Sequence, residues 1–307
     1  MLKRRWLTLV AAAFLIAAVP GVAGAASPDP QGLWPTSVTP PCITDGSGPC
    51  NVGDFGSVEL GVAFQTSQPI YVVGVRFYRA DAGTWSGSLW GADSAWITSA
   101  DDSTSSTGWQ TAMFATTVAM GTGDTFVASY FAPGGAYAFE WDYFTSGGLT
   151  AGPVTALGGA GVNGLYKYNS TSVFPTDTFR DTNYWVTPLW IPQYTLKGFY
   201  APVDMGDTFN SVKGGSTVPL KFEVFWGDTE QTDVAVVGGF NVVPVPCETG
   251  DVIAPIEFTT TGGTSLRYDT TAGQFIQNWK TPKTTGCYKA TVTTTDGSSL
   301  VAYFKVK

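Results

Sequence analysis

The side chains best equipped for chemistry in this chain are tryptophans and carboxylates. Trp85, Trp90 and Trp96 fall within fourteen positions, "GTWSGSLWGADSAW", among Gly, Ser, Ala and a single Asp. Further on, "FEWDYF" sets Glu140 and Asp142 two positions apart, with Trp141 and Tyr143 interleaved. Glycoside hydrolysis needs little more than two carboxylates, and a flat indole can stack on the C–H face of a sugar ring. Alternate residues on a strand lie ~7 Å apart, a spacing that also describes two solvated acids on an outer face. That second reading is the expectation for Glu140 and Asp142, as it is for the other candidates, Glu59 and Asp81. The chain contains no histidine, so serine or cysteine hydrolysis through an imidazole base is excluded. Gly-rich "GGAGVNG" (158–164) is not set between a strand and a helix, so it reads as a turn rather than a phosphate loop. No catalytic residue is expected, and no enzymatic activity.

The four cysteines are Cys42, Cys50, Cys247 and Cys287. An even count in an exported chain favours two disulfides, of three possible connectivities. The two local pairings, Cys42–Cys50 and Cys247–Cys287, are expected. On the chain-entropy estimate they are worth roughly 2–3 and roughly 4 kcal/mol. Oxidised sulfur cannot serve as a nucleophile. Zinc is disfavoured because there is no C-x-x-C pair and no histidine. Oxygen-rich turns, "DGSGP", "SADDSTSS" and "DMGD", could supply ligands to a structural calcium, but none has EF-hand spacing. No cofactor and no other metal are expected.

Around these residues the sequence is organised for strands. Alternation dominates. "VELGVAF" puts Val58, Leu60, Val62 and Phe64 on one face, and "IYVVGVRFYR" puts Tyr71, Val73, Val75 and Phe77 on one face with Arg76 on the other. Turn-rich stretches such as "MGTGD", "APGG" and "TSGG" separate the runs, and no segment of the mature chain reads as an amphipathic helix. The pattern resets near "TPLWIPQY". After it, "TVPLKFEVFW" points Val218, Leu220, Phe222, Val224 and Trp226 one way. Pro219 cannot donate to a ladder, so it belongs at a strand start or an edge. "CYKATVTTTDGSSLVAYFKVK" reads as a closing hairpin with Asp296-Gly297 in its turn. The expected fold is all-β: two consecutive antiparallel β-sandwiches over residues 30–192 and 193–307, the first jelly-roll-like and the second immunoglobulin-like.

Residues 1–26 have the form of a signal peptide. Lys3, Arg4 and Arg5 precede an apolar run from Trp6 to Val19, and "VAGAA" ends in small residues. The predicted location is therefore extracellular. Removing those three cations takes the formal net charge from −8 to −11, which disfavours nucleic acid as a partner. No apolar tail provides for membrane insertion.

Two resemblances join these observations. Residues ~33–190 resemble a secreted bacterial family catalogued as domain of unknown function 4082. The matching stretches include "VELGVAF", "VVGVRFYR", "GSLW", "GWQTAMFATTV", "FVASYFAPGGAYAF", "FPTDTF" and "NYWV". Residues ~194–307 resemble the PxKF domain, whose motif stands here as Pro219-Leu220-Lys221-Phe222, supported by "GFYAPVD" and "YDTTAGQFIQNWKT". The resemblances imply β-modules of extracellular bacterial proteins and supply no reaction. They also imply structural roles for Trp90, Trp109 and Trp185, which stand in recurring elements of the first pattern. Trp96 takes the place of an aliphatic strand residue and is expected in the core. Trp85 precedes a strand, in a loop where small residues are usual, so it is the first candidate for ligand contact. Trp141 and Tyr143 come next. The predicted role is recognition of an extracellular glycan or cell-envelope component. An inert spacer is the alternative, and a carbohydrate-active enzyme with an unrecognised carboxylate pair the second.

Overall fold

The computed structural model describes residues 28–43, 56–81, 83–102, 106–247 and 265–307. The predicted signal peptide and Cys50 lie outside these residues. In the N-terminal part the strands are β1 (Cys42–Ile43), β2 (Val58–Thr66), β3 (Ile70–Arg79), β4 (Trp85–Gly91), β5 (Trp96–Asp102), β6 (Gly108–Met120), β7 (Thr125–Ala132), β8 (Ala138–Phe139), β9 (Leu149–Ala151), β10 (Val154–Ala156), β11 (Leu165–Tyr168), β12 (Asp177–Thr178) and β13 (Val186–Pro192). The C-terminal part contains β14 (Tyr194–Tyr200), β15 (Phe209–Val212), β16 (Thr217–Trp226), β17 (Thr229–Gln231), β18 (Val237–Val245), β19 (Leu266–Asp269), β20 (Gln274–Lys280), β21 (Gly286–Thr294) and β22 (Ser299–Val306). Among the described residues the helical content is one 3-10 turn, Val234–Val236. The all-β sandwich architecture is therefore present.

In the first unit a large sheet ordered β12-β11-β2-β7-β4-β5, with β10 and β9 attached at β2, faces a three-stranded sheet ordered β13-β3-β6. Val58, Leu60, Val62 and Phe64 of β2 enter the core as their alternation requires, opposite Val72, Val75 and Phe77 of β3. The alternation read along β3 is corrected at one point. The register shifts between Val72 and Gly74, so Ile70, Val72, Val75 and Phe77 face the core. Tyr71 and Val73 turn outward, against Leu189 and Ile191. An extra residue in one strand reverses which parity faces inward. Gly74 sits at this bulge, where a Cβ would come within 2.6 Å of the Ala112 carbonyl.

The second unit has its own core. Sheet β14-β16-β20-β19, with β17 beside β16, packs on sheet β15-β22-β21-β18. Among the described residues all pairings of this unit are antiparallel except β15 with β22. Val218, Leu220, Phe222 and Val224 are fully buried. Pro219 pairs with Asn278 of β20 on one side, while β14 has already ended at the pair Tyr200–Lys221. Its missing N–H is thus at a local edge. The closing hairpin forms with Gly297 at φ 92° in its turn.

Cys247 and Cys287 are bonded, with Cα atoms 5.3 Å apart. Cys287 is the partner of Val245 in the β18–β21 ladder. The disulfide therefore ties neighbouring strands of one sheet instead of bridging the two sheets in immunoglobulin fashion. Cys42 is also disulfide-bonded.

The last expected inward residue of β16, Trp226, leaves the second core. Its ring stacks on Trp190 of β13 at 6.3 Å, and its Nε1 donates to the Pro69 carbonyl at 2.7 Å. The same carbonyl accepts from the Gln193 amide.

Candidate functional site

Two tryptophan expectations are exchanged by the structure. Trp85 is 1 % exposed. It is the first residue of β4, not part of the loop before it, and the pleat turns its ring inward. It stacks on Phe77 and Tyr130 with ring centroids 5.8 and 5.3 Å away. The Arg79 guanidinium lies 5.5 Å over it, and its Nε1 donates to Asp81. Arg79 is itself buried and paired with Asp102 at 3.1 Å. Trp85 is core, with no face left for a ligand. Trp96, expected in the core, is 60 % exposed. It pairs with Trp90 across a register shift at the β4–β5 turn, on the edge strand of the large sheet.

The second candidate segment is brought against a partner far away in sequence. Glu140 and Asn183 exchange two backbone hydrogen bonds of 2.9 Å. Beyond them the Asp142 amide donates to the Arg180 carbonyl and the Phe144 amide to the Asp181 carbonyl. The Asp181 carboxylate accepts from Thr145 and from the Gly161 amide. Four non-glycine residues of these two segments have positive φ: Asp142, Arg180, Asp181 and Trp185 at 61°, 50°, 47° and 55°. Left-handed conformations at non-glycine residues cost about 1–3 kcal/mol in their unfavourable cases and gather where the surroundings over-determine them. Loops 140–145 and 179–185 thus form one rigid shelf.

Trp141 stands out from this shelf, 42 % exposed. Arg180 lies 4.6 Å over its ring, and Phe139 packs at 5.2 Å in a tilted arrangement. Arg180 in turn grips Asp142 through two hydrogen bonds, Nε to Oδ1 and Nη2 to Oδ2. This bond to Asp142 raises the guanidinium pKa. Tyr143 turns the opposite way. Its hydroxyl accepts from Trp34 Nε1 at 3.2 Å, and its ring packs on Phe144, Trp34 and Trp185. Trp141 and Tyr143 therefore do not converge on one surface, because the left-handed turn at Asp142 separates them. Tyr143 braces the shelf from below.

The four carboxylates do not assemble into a pair. Asp142 is held by Arg180 and Asp81 by Trp85. Partial burial raises the Glu140 carboxyl pKa, but no second acid is among its partners. Glu59 lies buried in β2 beside Ser129. Among the described residues no group of three or more His, Cys, Asp or Glu is placed to hold a metal. Of the calcium-candidate turns, "DGSGP" lies outside the described residues. In "SADDSTSS" the Asp102 carboxylate is taken by Arg79. No helix among the described residues is long and apolar enough to cross a membrane.

Residues 46–186 match a family described as Domain of unknown function (DUF4082). The match ends at the first residue of β13, and the strand continues to Pro192 to complete the three-stranded sheet. The shelf and Trp141 lie inside the matched region. No curated protein matches the chain. Sequence reasoning passed over Arg180 and Asn183. "FRDTN" has no local pattern to single them out, and their importance comes entirely from the pairing with 140–145.

Proposed function

We propose that this chain is an exported, non-enzymatic binding protein whose Trp141 shelf contacts an extracellular polysaccharide or a cell-envelope component. The supporting observation is the exposed indole of Trp141, held by Arg180 on a doubly bonded pair of strained loops. A pre-set ring loses little conformational freedom on binding, and the Arg180–Asp142 fork beside it offers donors and acceptors suited to sugar hydroxyls. Export is supported by the basic-apolar-small order of residues 1–26 and by the bonded cysteines. The C-terminal unit is proposed to be of the PxKF type, on Pro219-Leu220-Lys221-Phe222 and the text around it. The test is a glycan and cell-wall pull-down with affinity measured by intrinsic tryptophan fluorescence. Trp141→Ala should abolish binding and Tyr143→Phe should leave it within a few-fold. Retention of full affinity by Trp141→Ala would sink the assignment.

One observation favours the spacer alternative. Trp226 on Trp190, with Pro69 accepting from both Trp226 and Gln193, makes a packed junction between the two units. A display module needs such stiffness. Absence of binding to every fraction of the producing cell's envelope would favour this reading.

A further inference from the structure

Glu59 lies on the outer face of the large sheet, away from the main core, and is 0 % exposed. Its Oε1 accepts from Ser129 Oγ at 2.5 Å, and Ser129 Oγ accepts from Trp90 Nε1 at 2.7 Å. Oε2 is buried and makes no close hydrogen bond among the described residues, the Ser172 hydroxyl and the Val173 amide of the cover approaching the carboxyl more loosely. The cover over this face is the segment 169–176. Phe174 packs edge-on against Trp90 at 5.9 Å. Pro175 sits so close over Gly61 that a Cβ there would meet its Cγ at 3.0 Å. Ser172 Oγ lies 3.5 Å from Ser88 Oγ. The backbone of residues 170–176 makes no hydrogen bond to another backbone group among the described residues. The cover is thus seated by side chains over a carboxyl group and is not stitched into the ladder.

Among the described residues no counter-ion reaches Glu59. Lys167 of β11 is its partner in register, but the ammonium reaches outward to Asp177 of β12, at 3.0 and 3.2 Å. Tyr130 of β7 is fully buried, and its phenol pKa is raised chiefly by burial, with smaller contributions from Tyr184 and Glu59, so it stays neutral. The facing residues of β4, Ser88 and Trp90, carry no charge, and residues 169–176 contain no ionisable side chain. A charged carboxylate in such a place is expensive unless paired.

We infer that Glu59 is a proton-operated latch: the neutral acid lets segment 169–176 close over the outer sheet face, and loss of its proton loosens that segment. Burial pushes the Glu59 carboxyl from 4.5 up to about 7, tempered by Ser129 and by the looser approach of Ser172 and the Val173 amide. The sign follows. A fully solvated carboxyl ionises near 4.5, the limit for the opened state, and the closed state keeps its proton to about 7. Closure is therefore most favourable below 4.5 and weakens as pH rises through 7. Between those two limits, opening is up to roughly 25-fold more favourable at pH 8.0 than at pH 5.5.

Hydrogen exchange on the full chain tests this, each amide rate being divided by its intrinsic rate at that pH. Protection of the Val173 amide, which approaches the Glu59 carboxyl, should fall by up to roughly 25-fold from pH 5.5 to 8.0. Protection in β16 and β20 should not change. In Glu59→Gln, an uncharged near-isostere, the pH dependence should vanish. Should that variant fail to fold, Ser129→Ala supplies the second reading. It removes a bond that favours the ionised form, so the transition should move to higher pH. A flat profile in the unmodified protein overturns the latch. So does the same slope in Glu59→Gln, or an equal loss of protection throughout β2, β7 and β4, which would mean global rather than segmental opening.

Discussion

Replacing Trp85 by alanine separates a core residue from a ligand platform. The ring is buried between the two sheets of the first unit, stacked on Phe77 and Tyr130 and covered by Arg79. Large-to-small substitution of a buried aromatic costs about 3–5 kcal/mol. The stacked neighbours add about 0.5–1.5 kcal/mol beyond area, and the lost bond to Asp81 about 1 kcal/mol. These contributions overlap, so about 4–5 kcal/mol is the expected loss, against a typical domain stability of about 5–15 kcal/mol. At about 2–4 °C per kcal/mol for a unit of this size, the first unit's melting temperature should fall by about 8–20 °C. Calorimetry on the full chain is the assay, since each unit has its own core and the C-terminal transition serves as an internal standard. A shift below about 2 °C, or a loss of ligand binding with no loss of stability, would refute the packing argument.

Other expectations follow from the same contacts. Trp141→Ala removes an exposed ring and should leave the melting temperature within a degree or two while eliminating glycan binding, read by titration calorimetry. Asp102→Asn removes the anionic partner of the buried Arg79, leaving its bonds to the Asp81 and Gly83 carbonyls, and should cost about 3–5 kcal/mol in denaturant unfolding; charge reversal at the exposed Asp101 should cost almost nothing. Trp226→Ala should increase interdomain motion seen by small-angle scattering and move the two unfolding transitions little, with each unit's fold intact. Replacing both Cys247 and Cys287 by serine releases a closed loop spanning 40 residues of separation. It should destabilise the C-terminal unit by about 4 kcal/mol and leave the first transition in place.

Much of the fold was legible because period-two alternation and burial are the same information on a strand with one face inward. The faces of β2 and β16 and the closing hairpin could be read directly, and so could Pro219 at an edge. The reading along β3 failed at Val73, where one bulged residue reverses parity and no local feature except Gly74 marks it. Trp85 and Trp96 exchanged places for a related reason. Trp85 opens β4 and Trp96 opens the edge strand β5, and alternation cannot say at which residue a strand begins or which face of an edge strand is left uncovered.

The sequence alone determined the all-β class, the inventory of possible chemistry and the absence of an imidazole, because composition and periodicity are local quantities. Tertiary structure alone decided which side chains act together. Arg180 reaches Trp141 and Asp142 across some forty residues, and segment 169–176 closes over Glu59 across more than a hundred. Burial, and with it the proton affinity of a carboxyl group, is set by what the rest of the chain lays on top of a residue. The residue's immediate neighbours in sequence carry no record of that.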